Sequence, residues 1–306
     1  MSGFPFQYYA SSNGPDYMDR LAIGTAQFGL PYGVANEVGQ ISKSDAAAIL
    51  KYALDAGVNM LDTAISYGNS EVCLGNAGVQ DFKIVTKLPA LPDNCSDISS
   101  WVDRQLDESL MRLGVKKIYG LLLHRPDQLL GINGAALDGA IRELKRRGLV
   151  ERVGVSIYSP AELDALYSNY CFDLVQAPFN LLDNRLYTSG WLTRLKDQGV
   201  EIHTRSAFLQ GLLLIPQNKL PLKFSRWREV SERWHCWLTD QNISAVKACL
   251  SFPLSYPEID RVVIGVDSLR QFVDIIDALN GKIIDHFPDL KCQDELLINP
   301  MNWTRL

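Results

Sequence analysis

Long apolar segments are missing from this chain of 306 residues. No apolar run reaches about 18 residues, the length at which a helix becomes long enough to span a membrane. The opening segment, MSGFPFQYYASSNGPDYMDR, contains no basic stretch followed by an apolar core, so we expect no secretory signal. These two absences favour a protein that works in the cytoplasm.

Excess positive charge and paired cysteines are also absent. The chain carries 30 Lys and Arg against 35 Asp and Glu, a net charge of -5. Because nucleic-acid binding depends on clustered Lys and Arg, this balance argues against a nucleic-acid partner. The six cysteines are scattered and none belongs to a C-x-x-C pair, so we predict reduced thiols, without disulfides or a metal site.

What the sequence does have is a regular series of short apolar runs. The runs IYGLLL and RVVIG are continuous rather than alternating, which indicates strands buried on both faces, as in a parallel sheet. Eight strands are predicted, at Leu21–Gly24, Asn59–Asp62, Lys83–Lys87, Ile118–Leu123, Arg152–Ser156, Leu174–Ala177, Glu201–Thr204 and Arg261–Gly265.

Amphipathic helical patterns separate these strands, and most of them end at a glycine. They are predicted at Ser42–Ala56, Asp97–Leu113, Gly134–Arg147, Pro160–Tyr167, Thr188–Gln198 and Ser268–Leu279, with a further packed helix near Trp227–Trp237. Strand-helix alternation implies parallel units with right-handed crossovers. We therefore predict an α/β fold, a (β/α)8 TIM barrel in a single domain over 1–306, with a long insertion at about 207–240 and a tail at about 281–306.

Polar side chains stand where the predicted strands end. Asp62 and Tyr67 follow the second strand, Lys87 ends the third, and His124 follows the fourth. Later strands lead to Ser156, Gln176 and Asn180, and Arg205 and Ser206. Because the carboxyl ends of barrel strands share one rim, the sequence predicts an active site at that rim.

With these strand ends placed, the chain resembles the aldo-keto reductases, of bacterial type. The matching stretches span nearly the whole chain in order: GTAQFG (24–29), LDTAISYGNSE (61–71), VTKL (85–88), LLHRPD (122–127), GVSIYSP (154–160), QAPFN (176–180), FLQGLL (208–213) and VVIGVDSLRQF (262–272). The resemblance implies an enzyme that reduces an aldehyde or ketone to an alcohol. A sugar-derived carbonyl compound is one candidate substrate.

The resemblance also implies four catalytic residues, Asp62, Tyr67, Lys87 and His124. Carbonyl reduction needs a proton on oxygen, and a phenol with a pKa near 10 is a weak acid at neutral pH. An ammonium beside it lowers that pKa, so Lys87 is expected to activate Tyr67. Asp62 would keep the buried Lys87 charged, and His124 would orient the carbonyl and stabilise charge on its oxygen.

None of these residues donates a hydride, so a cofactor must supply it. The resemblance implies NADPH, or alternatively NADH. Ser156 and Gln176 would hold the carboxamide, and Arg205 would replace the usual aromatic on the nicotinamide or bind a substrate anion. The full set of expected cofactor residues is Gly24, Thr25, Asp62, Ser156, Gln176, Arg205, Ser206, Leu209, Gln210, Gly211, Gly265, Ser268, Arg270 and Gln271.

The substrate is expected to be a small carbonyl compound held by the loops. Tyr67 and His124 would contact it, and Phe28, Tyr32 or both would line its pocket. The tail at 296–306 either folds over the barrel mouth or anchors Trp303 at the surface.

Two other functions fit the same residues. One is a cofactor-binding regulatory or scaffold subunit that keeps the barrel and acts through a partner. The other is a sugar or alcohol dehydrogenase running in the oxidative direction, because the same groups serve both directions.

Overall fold

Eight parallel strands close into a barrel within the described residues. The structure, a computed structural model, describes residues 17–36 and 39–306. The strands are β1 (Leu21–Gly24), β2 (Met60–Asp62), β3 (Lys83–Leu88), β4 (Ile118–Leu123), β5 (Val150–Ser156), β6 (Leu174–Pro178), β7 (Glu201–Arg205) and β8 (Arg261–Gly265). Each pairs with the next, and β8 pairs with β1, where Leu21 lies beside Val262. The predicted (β/α)8 barrel is confirmed, with every strand within two residues of its predicted bounds.

Helices follow the strands in alternation. They are α1 (Ala26–Gly29), α2 (Lys43–Asp55), α3 (Ser70–Ala77), α4 (Ile98–Leu113), α5 (Gly134–Arg146), α6 (Pro160–Leu166), α7 (Arg185–Thr188), α8 (Trp191–Asp197), α9 (Arg228–Gln241), α10 (Ala245–Leu254), α11 (Leu269–Ala278) and α12 (Glu295–Ile298). The side chains of Ser42, Asp97 and Ser268 accept backbone N–H groups at the starts of α2, α4 and α11. These three helices therefore begin directly after capping residues that the sequence had identified.

Two helix predictions need correction. The helix predicted at Thr188–Gln198 begins three residues later, as α8 at Trp191, and Thr188 is the last residue of α7; Gly190, between the two helices, has a φ of +82°. That left-handed conformation ends the α7 turn and starts α8 in a new direction. Helix α10 was not predicted at all, because seven of its residues, Ala248 to Leu254, are buried and the sequence shows no polar face.

The barrel interior has its own small apolar cluster. It contains one side chain from each of six strands, namely Ala22, Met60, Val85, Leu122, Leu174 and Val263. Space there is limited, since a Cβ on Gly120 would lie 3.1 Å from Val85 and 3.2 Å from Leu174. The interior is therefore filled, and any cavity must open at a rim.

The segment after β7 and the tail pack on each other at one end of the barrel. Phe224, in a 3-10 helix over Leu222–Trp227, meets Trp303 with ring centroids 4.8 Å apart. Trp303 is buried and donates from Nε1 to the carbonyl of Leu297 at 3.0 Å. The predicted aromatic helix is α9, with Trp234 buried and stacked on Trp237. None of the helices among the described residues is long and apolar enough to cross a membrane.

A buried carboxylate fastens α3 to the barrel wall and to α4. Glu71 accepts from Thr86 Oγ1 at 2.8 Å, from Ser109 Oγ at 2.7 Å and from Arg112 Nε at 2.8 Å. Its side chain is only 3% exposed, whereas that of Arg112 is 27% exposed. Because α3 follows the loop that carries Tyr67, this network also supports one wall of the rim.

Replacing Glu71 should destabilise the fold. We expect Glu71→Ala to lower the free energy of unfolding by about 3 kcal/mol, because it leaves a partly buried guanidinium and two hydroxyls without their acceptor. Urea unfolding measures the change. The control is Glu143→Ala, which removes the exposed pair with Arg146 and should leave the free energy of unfolding nearly unchanged. Equal losses in the two variants would contradict the role given to Glu71.

Candidate active site

The turn between β2 and α3 places Tyr67 in the same cavity wall as Asp62. Gly68 has a φ of +56°, and a Cβ there would lie 2.6 Å from a backbone carbonyl oxygen of α1. Ser70, at the end of the turn, donates its hydroxyl to the carbonyl of Thr25 at 2.8 Å. The turn therefore packs closely against the residues that follow β1, and only glycine can occupy position 68.

A buried ion pair lies behind this wall. Lys87 Nζ donates to Asp62 Oδ2 at 2.6 Å and to the carbonyl of Thr63 at 2.9 Å. The other carboxylate oxygen, Oδ1, accepts from Gln176 Nε2 at 2.6 Å. Burial lowers the pKa of Lys87, and Asp62 opposes that change. The expectation that a carboxylate is needed to keep this lysine charged agrees with the geometry.

The pKa of Tyr67 shifts in the direction opposite to the expected one. Its pKa is raised by burial and then by Asp62, while Arg205 lowers it. Lys87 Nζ lies 5.2 Å from the centroid of the Tyr67 ring, and within the described residues the phenol makes no hydrogen bond. The expected net lowering of the pKa is therefore wrong for this structure, because burial and Asp62 outweigh Arg205. Tyr67 is fully protonated at neutral pH.

His124 is neutral at the same pH. Burial lowers its pKa to about 4, and Lys87 and Arg205 add to the effect. Its Nδ1 lies 3.2 Å from Ser66 Oγ, and its ring meets Tyr67 edge-on with centroids 5.9 Å apart. A neutral imidazole that accepts at Nδ1 carries its hydrogen on Nε2, where it donates.

These groups face a cavity of about 530 Å³ at the carboxyl rim of the strands. That volume lies within the ordinary range of small-molecule sites. The predicted site residues that line it are Gly24, Thr25, Tyr32, Asp62, Tyr67, His124, Ser156, Arg205, Ser206, Gln210, Gly211, Gly265 and Gln271. Residues that end or follow six different strands, β1, β2, β4, β5, β7 and β8, are thus brought together.

Other predicted site residues lie away from the cavity surface. Phe28 is fully buried in the hydrophobic core, so the prediction that it lines the pocket is corrected to a packing position. Leu209 is also fully buried, and its backbone adopts the left-handed conformation with a φ of +47°. Ser268 caps α11 through the amide of Gln271, and Arg270 is exposed on that helix.

Gln176 and Ser156, predicted to hold a carboxamide, contact each other. Ser156 Oγ donates to Gln176 Oε1 at a long 3.4 Å, and both side chains are buried. Because the amide of Gln176 also donates to Asp62, its orientation is already fixed. Ile157, which follows Ser156, is fully buried and offers this rim only its backbone.

Two loops meet over one side of the cavity. Val34 donates its amide to the carbonyl of Gln210 at 3.0 Å, and Gln210 Nε2 donates to the Tyr32 hydroxyl at 2.8 Å. Ser206 and Gln210 both have positive φ values, of 64° and 52°. Non-glycine residues adopt this conformation at a cost, and such strain is concentrated at binding sites.

The sequence reasoning missed several lining residues. Tyr158, Gln27, Asp267 and Lys219 all face the cavity. Gln27, Tyr158 and Asp267 lie inside the recognised motifs GTAQFG, GVSIYSP and VVIGVDSLRQF, so the sequence already contained a signal for these three residues. Lys219 lies in the insertion, where no pattern identified it.

The tail contributes to the cavity as well. Pro300 and Met301 line its mouth while Trp303 is buried beside them. Trp303 is therefore a buried anchor, not a surface one, for the part of the tail that lines the cavity. Across residues 17–36 and 39–306, no cluster of His, Cys, Asp or Glu could hold a metal ion.

The family model described as the Aldo/keto reductase family matches residues 20–287. The chain belongs to the aldo/keto reductase family. Membership makes it an oxidoreductase by family, and the barrel carries the recognised motifs at its strand ends.

Curated relatives and a solved structure agree with this membership. A 6-dehydroglucose reductase of Novosphingobium aromaticivorans is 27% identical over 257 residues, covering 77% of this chain and 81% of the relative. An L-glyceraldehyde 3-phosphate reductase of Escherichia coli K12 is 25% identical over 296 residues, covering 82% and 84%. The holo form of an aldo-keto reductase from Bacillus halodurans superposes with a TM-score of 0.67 at 20% identity, covering 87% and 88%. At that identity the superposition supports the fold alone.

The lowered pKa of His124 can be tested by titration. We expect its ring to titrate at about 4 instead of the ordinary 6.5. Between these two values the unfolded chain binds the proton first, so stability should fall as the pH is lowered through this interval. NMR titration of the four labelled histidines, with His124→Gln to assign the signal, measures the pKa. A value at or above 6.5 would contradict the burial and charge arrangement described above.

Proposed function

We propose that this chain reduces an aldehyde or ketone to an alcohol with NADPH or NADH, and that Tyr67 is the general acid. The observation that carries the proposal is the convergence of Tyr67, His124 and Asp62 on one cavity, with Lys87 buried behind them and paired with Asp62. A chain that only needed an ion pair for stability would have no reason to place a phenol and a neutral imidazole beside it.

Tyr67 would give its proton to the carbonyl oxygen. In the protein without a ligand the pKa of Tyr67 is raised, so the phenol keeps its proton. It would release that proton only when negative charge begins to form on a nearby carbonyl oxygen. Arg205 and Lys87 would then stabilise the phenolate that remains. His124, neutral and bonded through Nδ1 to Ser66, would donate from Nε2 to the same carbonyl oxygen.

The residues present fit a nicotinamide nucleotide. The cavity continues from Tyr67 to Gly265 and Gln271, near the start of α11, where backbone N–H groups favour an anion. Ser206 and Gln210, with left-handed backbones, would lie along the pyrophosphate. When bound, the nucleotide supplies the hydride that no side chain of this protein has.

The net reaction balances with one hydride and one proton. Tyr67 would give the carbonyl oxygen its proton and solvent would return a proton to the phenolate, while a bound nucleotide would supply the hydride that the carbonyl carbon needs. The reverse path uses the same groups, so the direction depends on concentrations. The activities named for the two relatives support a sugar-derived carbonyl compound as the substrate class. All six cysteines are free, which supports a reducing compartment such as the cytoplasm.

Cofactor binding is the first test. We expect NADPH, NADH or both to bind with dissociation constants well below the millimolar range, in line with the affinities typical of such pockets. Titration of nicotinamide fluorescence with the protein measures this. If neither nucleotide binds below about 1 mM, a concentration taken from the usual range of Michaelis constants, the proposed function is wrong.

Removal of the phenol tests the chemistry. We expect Tyr67→Phe to keep the affinity for the nucleotide while turnover of an aldehyde falls by about 10²- to 10⁴-fold, the usual contribution of a general acid. The matched control is Tyr187→Phe, an exposed tyrosine away from the cavity, which should leave turnover unchanged.

Unchanged turnover in Tyr67→Phe would reject Tyr67 as the acid. Nucleotide binding by the wild type without turnover of any aldehyde tested, together with co-purification of a partner in fixed ratio, would instead favour the regulatory subunit.

A further inference from the structure

Two cations on the cavity wall have no carboxylate partner among residues 17–36 and 39–306, the exposed Lys219 and the partly buried Arg205. Arg205 ends β7 and faces the cavity, yet it forms no ion pair there. The other cation at this centre, Lys87, is paired with Asp62 at 2.6 Å. The remaining acid on the wall, Asp267, contacts Asn36 at 3.3 Å. The positive charge of Arg205 is therefore not cancelled by the protein.

Arg205 is held in position by neutral groups. Its Nη2 donates to the carbonyl of Ile157 at 2.9 Å, and its guanidinium carbon lies 4.6 Å from the centroid of the Tyr158 ring. A longer contact of 3.5 Å runs from Nη1 to Ser206 Oγ. A guanidinium has five N–H donors. These contacts occupy two of them, so most of the donors remain for a ligand.

The guanidinium lies near the proposed reaction centre. It lowers the pKa of Tyr67 and adds to the lowering of the pKa of His124 and of Lys87. Since Asp62 and Lys87 cancel and His124 is neutral, the centre has a net charge of about one positive unit. An anion bound there would gain Coulomb energy in a partly dehydrated site, where charges interact more strongly than in water.

We propose that Arg205 binds an anionic group, a carboxylate or a phosphate, on the carbonyl substrate itself. The proposal rests on the proposed function, because the carbonyl would be held by Tyr67 and His124. Guanidinium groups recognise carboxylates and phosphates through paired hydrogen bonds, and a planar group fixed by a carbonyl and an aromatic ring is already ordered for that contact. The alternative role, contact with the nicotinamide ring, makes no demand on substrate charge.

Matched pairs of aldehydes separate these two roles. Succinic semialdehyde is compared with butanal, and glyceraldehyde 3-phosphate with glyceraldehyde, by kcat/KM in wild type, Arg205→Gln and Arg205→Lys. We expect the wild type to prefer the anionic member of at least one pair by about tenfold or more, as a charge-assisted contact would give. Arg205→Gln should abolish that preference, and Arg205→Lys should keep part of it. The pair that shows the effect identifies carboxylate or phosphate.

The control is Lys219→Gln, which removes an exposed cation from the wall of the same cavity. It should leave the ratio between the anionic and neutral aldehydes unchanged. Loss of the ratio in this variant as well would mean that general cavity charge, not Arg205, selects the substrate. An equal decrease for both members of a pair in Arg205→Gln, with the ratio retained, would overturn the proposal and favour contact with the nicotinamide.

A binding measurement decides the inference even if no aldehyde is reduced. Succinate and glycerol 3-phosphate are titrated calorimetrically into nucleotide-saturated protein and into nucleotide-free protein. Binding of either anion by the wild type, weakened tenfold or more in Arg205→Gln, would support the anion site although the reductase proposal had failed. No binding of either anion together with equal rates for charged and neutral aldehydes would reject it.

Discussion

The buried pair of Asp62 and Lys87 is the interaction on which the rest of the site depends. Asp62 ends β2 opposite Val85, and Lys87 lies two residues further along β3, so the parallel register sets their separation. Two charges removed from water are stable only when each is paired and hydrogen-bonded. The carbonyl of Thr63 and the amide of Gln176 supply those additional bonds. The closed barrel is what brings Gln176, from β6, to the same carboxylate.

This pair also controls the groups that face the cavity. Asp62 raises the pKa of Tyr67 and Lys87 lowers that of His124, while Arg205 lowers both. Burial then acts in opposite directions on the two rings: it keeps the phenol protonated and the imidazole unprotonated. Both consequences suit hydrogen-bond donation to one oxygen atom. A single dehydrated wall thus gives two different side chains the same role.

The sequence predicted those features that follow from local pattern. Continuous apolar runs located the strands, and Ser42, Asp97 and Ser268 located helix starts, because both signals act within a few residues. Phe28 and α10 were mispredicted because burial depends on what surrounds a segment. The direction of the Tyr67 pKa was also wrong, since the sequence identified the nearby lysine but not the depth of the ring. Residues 37 and 38, within the predicted pocket loop, lie outside the described residues.

The loops make the inner and outer parts of the cavity chemically different. The inner wall carries Asp62, His124 and Arg205, whereas Ile215, Pro216, Pro221, Pro300 and Met301, from the segment after β7 and the tail, line the outer part. An apolar surface discriminates weakly between substrates that differ by a single group, but an unpaired, partly buried charge discriminates more strongly, because a ligand that lacks the opposite charge leaves it unsatisfied. Selection by charge would therefore operate beside the reacting atoms, and the outer loops would mainly limit size and exclude water. Such an arrangement lets the loops vary in length while the group that selects the substrate stays on a strand of the barrel.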